Sequence, residues 1–164
     1  MLTSSTIDVA DSHFLNRAIE LALATEAQGN FPIGAVITLG SNIVATGANQ
    51  SFQPCAHPGR HAEIMALRQI PDELIPRLPE MTCYTTLEPC LMCFGALVLH
   101  GLGRVVFGAN DPLGGAVALS EHLPPFVAQK MAAMIWVGPA NPELCDPLWK
   151  RTEHKYWHEE GRHP

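Results

Sequence analysis

Two short motifs, His61-Ala62-Glu63 and Pro89-Cys90-Leu91-Met92-Cys93, most constrain what this chain can fold into. Imidazole nitrogen and thiolate sulfur are ready zinc ligands, and a catalytic zinc site uses three protein ligands and leaves the fourth position to water. His61, Cys90 and Cys93 supply three such groups, so the fold has to bring the two segments to one point. The gap in Cys90-x-x-Cys93 lets both sulfurs reach one ion when the first stands at a helix start. Residues Phe94 to His100 are apolar enough for a buried helix. Pro89 suits that helix start, where a missing N–H is no loss, and thiolates there are favoured by unpaired amide hydrogens and the macrodipole. The same argument places His61 at the start of a helix over Ala62 to Gln69. Glu63 lies about 200° round such a helix from His61, yet at a first turn both side chains can converge on one cavity. A carboxylate that is not itself a ligand can move protons to and from metal-activated water. A redox pair, or a structural zinc site completed by Cys55, His57 or Cys83, is the competing reading of the same cysteines.

His-x-Glu followed by Pro-Cys-x-x-Cys matches the zinc deaminase pattern. The chain resembles the cytidine deaminase-like zinc superfamily from about Phe14 to Trp149. The resemblance is carried by Pro32-Ile33-Gly34-Ala35-Val36, by His61 through Leu67, by Thr86 through Ala96, and by Arg104 through Ala109. The branch with a histidine ligand fits best: dCMP, yeast-type cytosine, bacterial guanine and tRNA adenosine deaminases. The three-cysteine cytidine deaminases fit less well, because His61 stands where they place cysteine. The resemblance implies a three-layer α/β/α sandwich around a five-stranded mixed sheet in the order 2-1-3-4-5, one zinc ion per chain, and a homodimer or larger assembly.

Length and charge bound the alternatives. At 164 residues and 17.8 kDa, residues 1–164 are expected to form one deaminase domain. A hydrophobic fraction of 47% provides for a sizeable core. Sixteen acidic against ten basic residues give a formal charge of −6, which does not favour phosphate-rich partners. Lys150, Arg151 and Lys155, interrupted by Glu153, read as a solvated helix face. The odd count of five cysteines argues against a disulfide framework, and a reducing cytoplasm is the expected location. No signal peptide and no membrane span is expected.

The hydrophobic periodicity places a first helix from a cap at Asp11 or Ser12 to about Gln28. A hairpin follows, Ile33 to Leu39 and Ile43 to Gly47, turning at Gly40-Ser41-Asn42. Gln50 to Arg60 reads as a loop, and Pro71, Pro76 and Pro79 keep the link after the next helix irregular. Met81 to Thr86 is a strand, Cys90 to His100 a helix, and Arg104 to Gly108 a strand. Asn110 to Pro125 is loop-like, Phe126 to Ala133 a short helix, and Met134 to Val137 a last strand. From Pro142 a helix is expected to break at Pro147. A hairpin followed by alternating strands and helices is an α/β fold with a mixed sheet, its site at the carboxyl ends of strands.

Outside the metal motifs, the resemblance implies that Asn49 hydrogen-bonds the substrate, that the Glu88 carbonyl faces the leaving amine beside Pro89, and that Asn110 and Asp111 line the pocket mouth. The Glu88 side chain can equally serve only to support its loop. The backbone N–H groups of Ala62 and Cys90 are expected to face substrate or water. Phe31 and Pro32 read either as an apolar wall or as core. Trp149, Tyr156 and Trp157 read either as a lid or as plain helix packing. The expected function is hydrolytic deamination of a free base or nucleoside, guanine or cytosine type first, with Glu63 as proton carrier. The alternative is tRNA adenosine deamination. That subfamily's basic C-terminal helix with paired Phe and Arg is replaced here by Leu144-Cys145-Asp146-Pro147-Leu148-Trp149-Lys150-Arg151. A zinc-stabilised module without activity is the remote third reading, which an intact Glu63 opposes.

Overall fold

Burial runs almost unbroken along the central strands, so the sheet has two apolar faces, and each is covered by helices. In the computed structural model, residues 7–159 are described. Helix α1 spans Val9–Glu26, followed by strands β1 (Gly34–Leu39) and β2 (Asn42–Ala48) and helix α2 (Ala62–Leu67). A 3₁₀ segment over Asp72–Glu80 leads to β3 (Met81–Leu87), α3 (Leu91–His100) and β4 (Arg104–Ala109). A second 3₁₀ segment over Val117–His122 precedes α4 (Pro125–Ala132), β5 (Ile135–Val137) and α5 (Pro142–Glu159). The five strands lie in the order β2-β1-β3-β4-β5. β1 is antiparallel to both neighbours, and β3, β4 and β5 run parallel. This is the expected three-layer sandwich.

Strand parity sorts the core. Val36, Tyr84 and Val106 face one side and pack on Phe14 and Ala18 of α1. Ile37, Cys83 and Val105 face the other and pack with Ala62 and Ala66 of α2 and Phe94 and Leu97 of α3. Helix α5 shares the α1 side: a Cβ on Gly108, which has the parity of Val106, would collide with the Cys145 sulfur. Gly47 does the same for α2. A Cβ there would run into the carbonyl oxygen of Ala62, so only glycine lets the start of α2 settle onto β2. Both close approaches bring helix ends that carry site residues down to the sheet.

The register places the site. Gly34 pairs with Ala48, Ala35 with Thr85, and Leu87 with Ala109. The start of β1 and the ends of β2, β3 and β4 therefore share one edge of the sheet. From that edge emerge Ile33, Asn49, Glu88 and Asn110-Asp111. The carboxyl ends of the parallel strands are where open sheets of this kind hold ligands.

Several sequence expectations are corrected. The N-cap of α1 is Asp8, not Asp11 or Ser12. The Asp8 side chain accepts from the Asp11 N–H at 2.7 Å, and the Asp11 carboxylate accepts from the Asp8 N–H at 3.3 Å, a reciprocal capping box. The first turn escaped the periodicity because Val9 points to solvent, 89% exposed. Pro147 does not break α5, which runs through it. The carbonyl that Pro147 leaves without a donor belongs to Glu143, and both residues are exposed, so water can satisfy it. The segments 72–80 and 117–122 are 3₁₀ turns rather than irregular chain. Among the described residues, no helix is long and apolar enough to cross a membrane.

Candidate active site

His61 and Cys90 occupy equivalent positions: each is the N-cap residue of a short helix, in extended conformation, with a side chain that makes no capping hydrogen bond. Each engages the helix through its backbone carbonyl, which accepts from the N–H of Met65 and of Phe94 respectively. The imidazole and the thiol are thus left free to face one another across the helix starts, with His61 Nδ1 3.4 Å from Cys90 Sγ. Cys93, one turn into α3 and buried, completes the group. The ligand atoms of His61, Cys90 and Cys93 lie within 4.8 Å of one another. A tetrahedral ion with Zn–S of about 2.3 Å and Zn–N of about 2.0 Å needs its ligand atoms about 3.5–3.8 Å apart. The three residues fit that demand, and one imidazole with two sulfurs is a donor set that suits zinc.

Electrostatics points the same way. Hydrogen bonds from Cys93 and then His61 hold the Cys90 thiol down to about 4, against the opposing effect of burial. The neighbouring Cys90 thiolate and burial push Cys93 up. Two sulfurs this close cannot both carry charge in a low dielectric unless a cation joins them. The structural-zinc alternative loses its fourth ligand, since no further His, Cys, Asp or Glu among the described residues joins the group. Cys55 is exposed beside Arg60, the His57 Nδ1 accepts from the Gly59 N–H, and Cys83 is buried in β3.

Glu63, in the first turn of α2, is 3% exposed. The Thr85 hydroxyl of β3 donates to its Oε1 at 3.3 Å. Burial, with a smaller push from the Cys90 thiolate, raises its pKa above the usual carboxylate value. A buried carboxyl shifted towards neutrality, oriented by one hydroxyl and set beside three metal-ligating groups, has the makings of a proton carrier.

A cavity of about 650 Å³ opens over this group. Its wall includes Phe31, Ile33, Asn49, His61, Glu63, Leu87, Glu88, Cys90 and Asp111. It also includes Trp149, Thr152, Glu153, Tyr156 and Trp157 from α5. Asn49 is fully buried; its carbonyl accepts from the Thr25 hydroxyl at 2.6 Å, and its Oδ1 from the Ser51 N–H at 3.0 Å. The Glu88 carboxylate supports the loop: its two oxygens accept from the N–H groups of Asp111 and Val117, each at 3.1 Å. Asp111 Oδ1 in turn accepts from the N–H groups of Leu113 and Gly114 and from the Trp149 indole at 3.3 Å. The α5 aromatics therefore line the wall, Trp149 tied to the loop after β4, and Phe31 lines it as well.

Three residues expected at the substrate do not reach this wall. Ala62 and Pro89 are buried, with the Pro89 carbonyl engaged by the Ala116 N–H. Asn110 is exposed and lines a neighbouring hollow with Phe107, Val117 and Glu121. Adjacent residues leaving a strand point opposite ways, and Asp111 has the inward position. Ser51, Phe52, Thr152 and Glu153 were not legible as wall residues. Phe52 gave an aromatic signal, and its ring meets Phe31 edge-on at 5.0 Å. The others gave none, because their place depends on how a loop and a distant helix return to the sheet edge.

With the geometry in hand, comparisons with known proteins agree on the surroundings of the motifs. A family model described as the cytidine and deoxycytidylate deaminase zinc-binding region matches residues 8–109. A tRNA-specific adenosine deaminase of Buchnera aphidicola (subsp. Baizongia pistaciae) is 43% identical over 102 residues, 62% of this chain and 62% of that protein. The chain thus spans a little under two thirds of that relative's length. A structure from work on A-to-I editing by tRNA:A34 deaminases superposes with a TM-score of 0.63 at 34% identity, over 70% of this chain and 90% of that one. The guanine deaminase of Bacillus subtilis superposes with a TM-score of 0.55 at 32% identity, over 63% of this chain and 66% of that one. The family match ends with β4, so Asp111 and the α5 wall lie beyond it.

Proposed function

This chain belongs to the cytidine and deoxycytidylate deaminase zinc-binding family, and from that premise we propose that it hydrolytically deaminates an unphosphorylated purine base or nucleoside, guanine type first, releasing ammonia. Zinc is the cofactor, and His61, Cys90 and Cys93 are placed to hold it. The chemistry the metal supplies when bound is a water acidified to a pKa of about 7. Glu63, poised by Thr85, would take a proton from an activated water, pass it to the ring nitrogen, and carry the proton of the newly attached hydroxyl to the departing amine. A C–O bond forms at the amine-bearing carbon, the C–N bond breaks, and ammonia leaves. The buried Asn49 amide orients the ring, and the α5 aromatics exclude bulk water, which strengthens each of these interactions.

One observation carries the choice of substrate. The cavity wall includes the acidic residues Glu63, Glu88, Asp111 and Glu153 and, among the described residues, no Lys or Arg. A phosphate brought there would meet repulsion without a counter-charge, whereas ring N–H and amino donors meet acceptors. The basic stretch of α5 is partly taken up within the chain, with Lys150 left exposed. The Arg151 guanidinium pairs with Glu26 at 2.6 and 3.0 Å, and Lys155 donates to the Gly29 carbonyl and lies over the Phe52 ring. A purine rather than a pyrimidine is supported by the names of the relatives above, a tRNA-specific adenosine deaminase and a guanine deaminase.

The second reading, deamination of adenosine within tRNA, is favoured by the 43% identity of the matched region. Ammonia release from guanine, adenine, cytosine, their nucleosides, the nucleoside 5′-phosphates and tRNA separates the two. The proposal expects bases or nucleosides to react and each 5′-phosphate to react about 100-fold less well, the cost of an unpaired charge in the cavity. Turnover confined to tRNA, with salt-dependent binding, would replace it.

A further inference from the structure

The loop after β2 presents an arrangement that its own hydrogen bonds do not use up. Asn49 is fully buried, and its Oδ1 accepts from the Ser51 N–H. That bond fixes which end of the amide the loop uses: the acceptor is engaged, and the Nδ2 donor is left over. Asn49 Nδ2 is buried with no hydrogen-bond partner among the described residues, and so is the Ser51 hydroxyl oxygen. Both residues line the cavity.

The loop is otherwise well satisfied. Asn30, 1% exposed, accepts from the N–H groups of Phe52 and Gln53 and donates to the Thr25 hydroxyl, which donates to the Asn49 carbonyl. A fold that completes the bonds of Thr25 and Asn30 while leaving two adjacent polar atoms bare has reserved those atoms. A buried donor without a partner is destabilising, and such a group in a folded chain calls for an explanation.

We propose that Ser51 is a specificity-determining residue. Its hydroxyl and the Asn49 amide together grip a hydrogen-bond acceptor on the edge of the substrate ring, opposite the carboxylates of Asp111 and Glu153. The assignment rests on the purine reading above and adds to it the polarity of one edge. Asn49 can only donate there, so the substrate must present an acceptor.

The test uses full-length, zinc-loaded protein carrying Glu63→Gln, so that ligand binds without turnover. Calorimetric titration compares guanine with three analogues, each lacking one acceptor: 7-deazaguanine, 3-deazaguanine and 2-aminopurine. With Ser51 intact, one analogue binds about tenfold more weakly than guanine. Adding Ser51→Ala erases that preference to within about twofold. The same variant melts no lower than its parent, since it removes an unpaired buried hydroxyl. The proposal falls if the preference survives Ser51→Ala, if guanine and all analogues weaken equally, or if the melting temperature drops by several degrees, which would mark the hydroxyl as structural. Should guanine fail to bind the Ser51 protein at all, the purine reading falls first and this assignment with it.

Discussion

At the scale of the residue, the site separates the group that holds from the group that transfers. His61, Cys90 and Cys93 lie within reach of one ion, whereas Glu63 sits beside them outside that group, oriented by Thr85 and buried to 3% exposure. Glu63→Gln keeps the size and the Thr85 contact but cannot carry a proton. It is expected to retain one equivalent of zinc by elemental analysis and an unchanged melting temperature, while ammonia release falls about 10²–10⁴-fold. Full metal with undiminished turnover would remove Glu63 from the reaction. These four residues were legible in the sequence because the chemistry sits inside two short motifs, and helix-start geometry fixes their side chains locally. Ser51 and Glu153 were not, since nothing in their neighbours records that a loop and a helix far along the chain end at the same cavity. Asn110 and Asp111 show the limit between the two cases. The loop was legible, but which neighbour faces inward depends on the last residue of β4.

At the scale of the element, helix α1 is fastened to the sheet by charge as well as by its apolar stripe. The Arg104 guanidinium of β4 binds Asp11 at 2.5 and 2.8 Å, and the Tyr84 hydroxyl of β3 donates to Asp11 at 2.9 Å. Arg104 is the largest influence holding the Asp11 carboxyl below its usual value, with Tyr84 adding to it against the effect of burial. A carboxyl whose pKa is lower folded than unfolded stabilises the fold above its unfolded value of about 3.9. That contribution is lost as pH falls through the folded value. Arg104→Met removes the partner and leaves a buried carboxylate. The variant is expected to lose about 2–3 kcal/mol at neutral pH, somewhat less than for a fully buried pair because Arg104 is partly exposed. Its deficit should shrink as pH falls from about 4 through the lowered folded value, below which Asp11 is neutral in both states. Urea unfolding at several pH values checks this, and a deficit independent of pH would mean that packing, not charge, holds the pair. Sequence periodicity found this helix from Phe14, Leu15 and Ala18 but mistook Asp11 for the cap. An acidic residue near a helix start serves a cap or a distant arginine equally well, and here Asp11 does both.

At the scale of the whole molecule, the metal group joins what the backbone leaves separate. α2 and α3 both rest on one face of the sheet, and their N-cap residues His61 and Cys90 meet there. The Cys90 backbone is bridged to Gly115, and the Pro89 carbonyl accepts from the Ala116 N–H, so the loop that carries Asp111 hangs from the same point. Binding at that point therefore stabilises both helices and the far wall of the cavity together. A ligand held only by the folded state adds RT ln(1 + [L]/Kd), about 4 kcal/mol at a thousandfold excess over Kd. For a chain of this size each kcal/mol is worth about 2–4 °C. Chelation is expected to lower the melting temperature by about 10 °C and to raise amide exchange at the starts of α2 and α3, while α1 and its Asp11–Arg104 attachment keep their protection. Added zinc should restore both readouts. Magnesium should not, because a hard ion that seeks oxygen and octahedral geometry gains little from two sulfurs and an imidazole. A chelated protein shown by elemental analysis to be metal-free, yet melting and exchanging as before, would mean that the sheet and its core set the helix starts unaided and that the three ligands merely occupy ground already fixed.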